Sequence, residues 1–302
     1  MCGTNKEMDK DYSLTTTVFR KKEHDAFMAC DSRSSLVDKS NGMITKWFDS
    51  AKYKKTINID GVMYGFAGLN TLYKIFLENY SDRETSEDIL DAVVELAKNN
   101  IAQFMLMRYD GENLKIFAYS PPNALHRVPE IYKISSDLPI ETDCYAIGSG
   151  KDSKMYLKHQ FNASPQVPIH QIISTNKTAL SKKKYRHLVL KVSKGNTLTT
   201  AESLELYKAC SLKGGDLFTG GIVNMCKNAT KQEIIEQVAI MEDMDKQAKA
   251  SGAVCASPIN AALEKAHLES LGHSAVSSNR VVMNENMSRL LEKMQDRFDA
   301  SI

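Results

Sequence analysis

The stretch SLTTTVFRKKEHDAFMACDSRSS, residues Ser13 to Ser35, contains three consecutive threonines and, after a charged turn, an aspartate and an arginine two positions apart. Short β-prone runs, Val18–Phe19 and Ala26–Cys30, flank the turn, which predicts a hairpin of two strands. Three threonines alone most often mark only the β-branched start of a strand. The acid and the base at this interval raise the alternative that the cluster belongs to a chemical site.

The composition is that of a soluble globular protein, because 42% of the 302 residues are hydrophobic and 25% are charged. A net charge of +2 is too small to indicate nucleic acid or an anionic membrane as a partner. The first residues have no apolar core, and no apolar run approaches the length of a membrane span. The six cysteines are scattered, which favours free thiols in a reducing compartment over disulfides or zinc. We therefore expect a cytoplasmic protein.

Periodicity along the chain predicts an α+β fold, because strands occur in hairpins with helices grouped between them. The dipeptides Asp60-Gly61 and Asp110-Gly111 are typical of hairpin turns. Apolar residues at helical spacing near the C-terminus predict a helix that packs on its own domain. The predicted elements are hairpins over 55–68 and 103–120, helices over 69–80 and 85–97, strand material over 130–150, a helix from Thr199 to Gly214, a strand within 216–225, and mostly helix over the last sixty residues, with Met287, Leu290, Leu291, Met294 and Phe298 on one face.

Several segments in the same order resemble the β-type subunits of the proteasome and the related bacterial peptidase that works with an unfoldase ATPase. They are TTTVFRKKEHDAFMACDSRSS (15–35), KKTINIDGVMYGFAG (54–68), YAIGSG (145–150) and GGDLFTGGIVN (214–224). The resemblance implies a four-layer αββα sandwich of the N-terminal-nucleophile hydrolase type. It places an N-terminal extension at 1–14, the β-like domain at 15–235 with insertions near 40–50 and 155–195, and a helical C-terminal extension at 236–302.

The resemblance also implies a set of site residues. Thr15 is the expected nucleophile, and its own α-amine, with an unperturbed pKa of roughly 7.7–8.0, is the expected base. A buried lysine paired with Asp31 lowers the proton affinity of the hydroxyl; Lys54 and Lys55 both fit the spacing, and we favour Lys55. Gly68 is the expected oxyanion donor. The full set implied by the resemblance is Thr15, Asp31, Lys55, Gly68, Ser149, Asp216 and Thr219 for catalysis, Arg33 as a structural neighbour, and Phe66 and Ser35 for substrate binding.

These residues imply a threonine peptidase that cleaves peptide bonds within a ring-shaped homo-oligomer, with no cofactor or metal. An unfoldase ATPase or other ring subunits are possible partners by analogy. Leu14 stands where active members of the family have a glycine, so the alternative is an unprocessed, catalytically silent subunit that builds or regulates such a ring. Cys2, exposed by removal of Met1, is a weaker candidate nucleophile. The basic run 181–187 is typical of a solvated loop.

Overall fold

The computed structural model describes residues 17–22, 25–40, 44–50, 52–80, 86–121, 139–148, 219–259, 261–273 and 283–302. Within these residues both helices and strands are present, and the prediction of an α+β fold is confirmed. The strands are β1 Thr17–Lys22, β2 Asp25–Asp31, β3 Arg33–Asp38, β4 Ile44–Asp49, β5 Thr56–Ile59, β6 Val62–Leu69, β7 Phe104–Tyr109, β8 Leu114–Tyr119, β9 Cys144–Ile147, β10 Thr219–Asn224 and β11 Ala253–Ser257; the helices are α1 Asn70–Tyr80, α2 Ser86–Asn99, α3 Lys231–Ala250, α4 Ala261–Ser270 and α5 Glu285–Ser301.

The three predicted hairpins form as antiparallel strand pairs, β1 with β2, β5 with β6 and β7 with β8. The turn between β5 and β6 has positive φ at both central residues, 52° at Asp60 and 79° at Gly61, which is the geometry that favours an Asp-Gly pair. In the turn between β7 and β8 the Asp110 carboxylate accepts the backbone N–H groups of Glu112 and Asn113, at 3.1 and 2.8 Å. Local turn chemistry therefore supports the pairing of β5 with β6 and of β7 with β8.

The strands make two sheets that pack face to face. The smaller sheet has the order β10-β2-β1-β9, and the larger has the order β4-β3-β11-β6-β7-β8 with β5 paired to β6. Side chains from both sheets share one buried apolar layer, to which β1 contributes Phe19, β2 Met28 and β6 Met63. Val18 and Ala29 lie one position along from these residues and are also buried, so both faces of β1 and β2 carry buried side chains.

The helices α1, α2, α3 and α5 cover the outer face of the larger sheet. Phe66 and Phe104 project from that face into a core shared with α1 and α2. The apolar face predicted for the last helix packs there as expected, with Met287, Leu290, Met294 and Phe298 buried in α5. This part of the prediction is confirmed.

The prediction that the chain after residue 235 is helical is wrong for Ala253–Ser257, which forms β11. This strand lies in the middle of the larger sheet, between β3 and β6. Its five residues are short and mostly apolar, and they lie between two helices, so a local pattern does not separate them from helix. Pairing on both edges decides the conformation, and it makes the C-terminal segment part of the sheet.

Other predictions lie partly or wholly outside the described residues. These are the extension 1–14, Thr15, the strand material before residue 139, the insertion 155–195 with the basic run, and the helix from Thr199 to Gly214. The insertion near 40–50 is described in part, and its residues form β4, the edge strand that pairs with β3.

Candidate active site

The predicted motifs lie at one end of the smaller sheet, where β1 and β10 begin and β2 and β9 end. Thr17, the first residue of β1, lies opposite Cys30 of β2 and Ile147 of β9. Thr219, the first residue of β10, lies opposite Asp31, the last residue of β2. The antiparallel register therefore brings Thr17, Asp31, Ile147 and Thr219 to the same end of the smaller sheet.

A buried ion pair lies at this end of the smaller sheet. The Lys55 Nζ atom lies 2.7 Å from Asp31 Oδ1, and the side chains are 0% and 6% exposed. The same carboxylate oxygen accepts the backbone N–H of Arg33 at 2.7 Å. Removing two charges from water is costly, and the attraction between them offsets that cost only when the geometry is good and further hydrogen bonds are made. Both conditions hold here.

The structure places Lys55, and not Lys54, against Asp31. Lys55 directly precedes β5, and its carbonyl accepts the backbone N–H of Phe66 in β6 at 2.8 Å. Lys54 is only half-buried, and its backbone N–H donates to Gln237 Oε1 of α3 at 2.9 Å. Both lysines fit the spacing, and it is Lys55, the favoured one, that lies directly before the buried strand and contacts Asp31.

Gly68 lies near the end of β6, just before α1, at a position that only glycine fits. Its φ is +123°, a conformation that other residues rarely adopt. A Cβ atom at this position would lie 2.5 Å from the carbonyl oxygen of Gln103 in the preceding loop of β7. Backbone conformation and close packing therefore both require glycine where the resemblance implies an oxyanion donor.

The thiol of Cys30 lies beside the ion pair. Its Sγ accepts the backbone N–H of Lys55 at 3.2 Å and lies 3.6 Å from Thr56 Oγ1. Burial raises the pKa of this thiol to about 11; the Lys55 ammonium opposes the rise and the Asp31 carboxylate adds to it. Cys30 is therefore a neutral thiol and a packing residue, because the thiolate is the nucleophilic form.

A buried polar network next to Lys55 was not predicted from the sequence. The Tyr53 hydroxyl donates to Asn70 Oδ1 at 3.1 Å, and Asn70 Nδ2 donates to Ser34 Oγ at 2.8 Å. The Tyr53 ring lies 6.0 Å from Lys55 Nζ, at the outer range of a cation–π contact. Burial raises the pKa of Tyr53 well above its ordinary value, so its hydroxyl stays a donor. The residues come from three separate segments, and no spacing in the sequence marks them.

The predicted neighbours of the site are buried. Arg33 is 2% exposed, and Ser35 and Phe66 are fully buried. The Phe66 ring stacks on Tyr73 of α1 with centroids 4.6 Å apart. The roles of Ser35 and Phe66 in substrate binding stay predictions.

Three predicted site residues, Thr15, Ser149 and Asp216, lie outside the described residues, and for Thr219 only the backbone is described.

No family model and no curated protein matches the chain. Across the described ranges, no group of three or more His, Cys, Asp and Glu side chains is arranged to hold a metal ion. In the same part of the chain, every helix is too short or too polar to cross a membrane.

Proposed function

We propose that this protein is a threonine peptidase of the proteasome β type, with Thr15 as an N-terminal nucleophile that processing uncovers. The observation that carries the proposal is the buried Lys55–Asp31 ion pair at the end of the smaller sheet where β1 begins. Thr15 is two residues from Thr17, so the reach of the chain keeps its α-carbon within about 7 Å of the Thr17 α-carbon. A hydroxyl, an amine, an ammonium and a carboxylate are thereby confined to one small region.

The chemistry follows from these groups. The free α-amine of Thr15 takes the hydroxyl proton as Oγ1 attacks the carbonyl carbon of the substrate peptide bond. The proton passes to the leaving amine, which departs as the first product and leaves an ester on Thr15. The amine then takes a proton from water, which attacks the ester, releases the second product and restores the hydroxyl. Lys55 holds positive charge beside the nucleophile, and Asp31 holds Lys55.

The roles of the remaining residues belong to the same proposal. The backbone N–H of Gly68 stabilises the oxyanion in both steps, and one such donor contributes roughly 3 kcal/mol to the transition state. Ser149, Asp216 and Thr219 orient the amine and the attacking water. The register that pairs Thr219 with Asp31 supports this assignment, because it brings the β10 backbone to the ion pair.

The four-layer αββα arrangement is also part of the proposal. Two stacked sheets with helices on the outer face of the larger sheet account for three layers. Burial on the outer face of the smaller sheet, at Val18, Ala29 and Ala146, supports a fourth layer there.

Enclosure in a ring of identical subunits, in the cytoplasm, would keep such a site away from other proteins of the cell.

The test combines the mass of the chain with its activity. We expect the purified wild type to begin at Thr15, by intact mass and N-terminal sequencing, and to hydrolyse fluorogenic peptides. Thr15→Ala should keep the extension and be inactive, and the matched control Thr16→Ala should be processed. Light scattering gives the molar mass of the processed form and hence the number of its subunits, and electron microscopy shows whether they form a ring. Processed, assembled wild type without peptide hydrolysis would contradict the proposal.

A second function is favoured by one residue. Leu14 precedes Thr15, and it lacks the backbone freedom that glycine gives to a strained turn at a self-cleaved bond. If both the wild type and Thr15→Ala keep the extension, the Thr15 nitrogen stays an amide without basicity. The protein is then a silent subunit of such an assembly, and Leu14→Gly should restore processing if the remaining site is intact.

A further inference from the structure

A side-chain hydrogen bond from Thr17 to Phe66 is among the contacts that join the two sheets near the candidate site. The hydroxyl of Thr17 donates to the backbone carbonyl of Phe66 at 2.9 Å, and both residues are completely buried. Thr17 belongs to β1 of the smaller sheet, whereas Phe66 belongs to β6 of the larger sheet. The two strands are not paired with each other, so this bond sets their separation at that point directly.

The positions of the two partners along their strands are matched. Thr17 follows Thr15 by two residues, and Phe66 precedes Gly68 by two residues. Two residues of extended chain span about 7 Å. The bond therefore lies one short step from the proposed nucleophile on one strand and one short step from the proposed oxyanion donor on the other.

Gly65 provides the space into which Thr17 fits. A Cβ atom at Gly65 would lie 2.8 Å from Thr17 Cγ2, 3.1 Å from Met107 Cε and 3.2 Å from Met28 Sδ. Gly65 is not among the positive-φ glycines, so the position requires glycine for space and not for backbone conformation. Both the hydroxyl and the methyl group of Thr17 are thus fitted to β6.

We infer that Thr17 is a positioning residue, which holds the nucleophile strand at a fixed distance from the oxyanion strand. The inference rests on the proposed threonine peptidase activity. Thr17 contacts no reacting atom in this scheme, so its loss should change the rate of the chemical step and leave substrate binding largely intact. A misplacement on the order of 1 Å between reacting groups can lower a rate by roughly 100-fold.

The first test compares Thr17→Val, which keeps the shape but removes the hydroxyl, with Thr17→Ser, which keeps the hydroxyl but removes the methyl group. Kinetics are measured on protein whose chain begins at Thr15. We expect Thr17→Val to lower kcat by about 10- to 100-fold with KM within about threefold of the wild type. Thr17→Ser should stay within about threefold in both.

A matched control separates positioning from stability. Thr71 is also buried, and its hydroxyl bonds to Asp245 of α3 at 3.2 Å, on the helical side of the larger sheet. Thr71→Val should lower the midpoint of urea unfolding about as much as Thr17→Val does, but it should leave kcat unchanged. If both valine variants lower kcat in proportion to the lost stability, Thr17 is only structural and the inference is overturned.

A double-variant experiment keeps the inference testable if Thr17→Val does not fold. Gly65→Ala retains the hydroxyl but crowds the Thr17 methyl group, so we expect a loss of kcat. In the Thr17→Ser background that methyl group is absent, and the added alanine should cost far less. Equal losses in both backgrounds would overturn the inference, as would a Thr17→Val enzyme with wild-type kcat. Wild type that begins at Thr15 and is inactive would instead refute the proposed function, and the inference with it.

Discussion

Replacing one partner of the Lys55–Asp31 pair should lower the free energy of unfolding by several kcal/mol, whereas replacing both should not. In Lys55→Met the Asp31 carboxylate keeps the N–H of Arg33 as a hydrogen-bond donor, but it loses the Lys55 ammonium at 2.7 Å. Removing one partner of a buried ion pair typically costs roughly 3–5 kcal/mol. Since native domains are stable by about 5–15 kcal/mol, this one change removes a large share of the total.

The double variant Asp31→Asn with Lys55→Met removes both charges. The asparagine oxygen can still accept the N–H of Arg33, so the backbone turn after β2 keeps its bond. Buried pairs replaced by neutral groups of similar volume are often neutral or even stabilising. We therefore expect the double variant to return to within about 1 kcal/mol of the wild type, with each single variant well below both.

The assay is urea unfolding at pH 7 for the wild type, both single variants and the double variant, with peptide hydrolysis measured on the same samples. We expect the double variant to be folded and inactive, because the two charges of the wild type serve catalysis and contribute little net stability. Lys55→Met within 1 kcal/mol of the wild type would refute the buried pairing. A double variant that still hydrolyses peptides would refute the catalytic role of the Lys55–Asp31 pair.

Three further changes, two of them with a matched control, test the fold at Gly68 and in the helices that cover the larger sheet. Gly68→Ala should cost roughly 3 kcal/mol or more, because the new Cβ meets a backbone oxygen at 2.5 Å; Gly61→Ala, with open space around it, should cost about 1 kcal/mol. Asp245→Asn should change the pH dependence of stability, so that the wild type gains about 1.4 kcal/mol on the variant between pH 7.5 and pH 5. Met294→Ala should cost roughly 2–5 kcal/mol because this side chain is fully buried, while the exposed Glu292→Ala should stay within about 0.5 kcal/mol, both by urea unfolding.

The sign of the Asp245 effect follows from its surroundings. Burial raises the pKa of this carboxyl from 3.8 to about 6, against the opposing charge of Lys74 at 3.7 Å. The native state then binds the proton more tightly than the unfolded chain does. The contribution to stability is complete below about pH 3.8 and is lost as the pH rises through about 6. A difference between wild type and Asp245→Asn that is constant from pH 5 to 7.5 would contradict this reasoning.

Elements governed by local chemistry could be predicted from the sequence. The Asp60-Gly61 pair adopts the two positive φ angles that such a turn requires, and the hairpin follows from it. The face of α5 could also be predicted, because Met287 and Met294 are one heptad apart on a helix with an otherwise polar surface. In both cases the information lies within a few residues.

Features that depend on contacts distant in sequence could not be predicted. The strand β11 owes its conformation to β3 and β6, and its five mostly apolar residues between two helices give no local indication of these partners. The spacing allowed both Lys54 and Lys55 and only favoured Lys55, whereas the contact of Lys55 with Asp31 depends on its burial at the start of β5. The third threonine, Thr17, could have been noticed from its spacing of two residues from Thr15, but its acceptor on Phe66 is 49 positions away.

The central place of β11 has a consequence for how the molecule is made. Ser34 of β3 and Ala256 of β11 lie next to each other across the sheet although 222 positions separate them in sequence. Until residue 257 has left the ribosome, β3 and β6 each present an unpaired edge, and unpaired edges favour association with other chains. The larger sheet is therefore completed only after residue 257 has emerged, through contacts between segments far apart in sequence. A nascent chain contains Asp31 and Lys55 long before β11 is available, so the proposed hydrolase would gain its complete larger sheet, and with it its activity, only after that point.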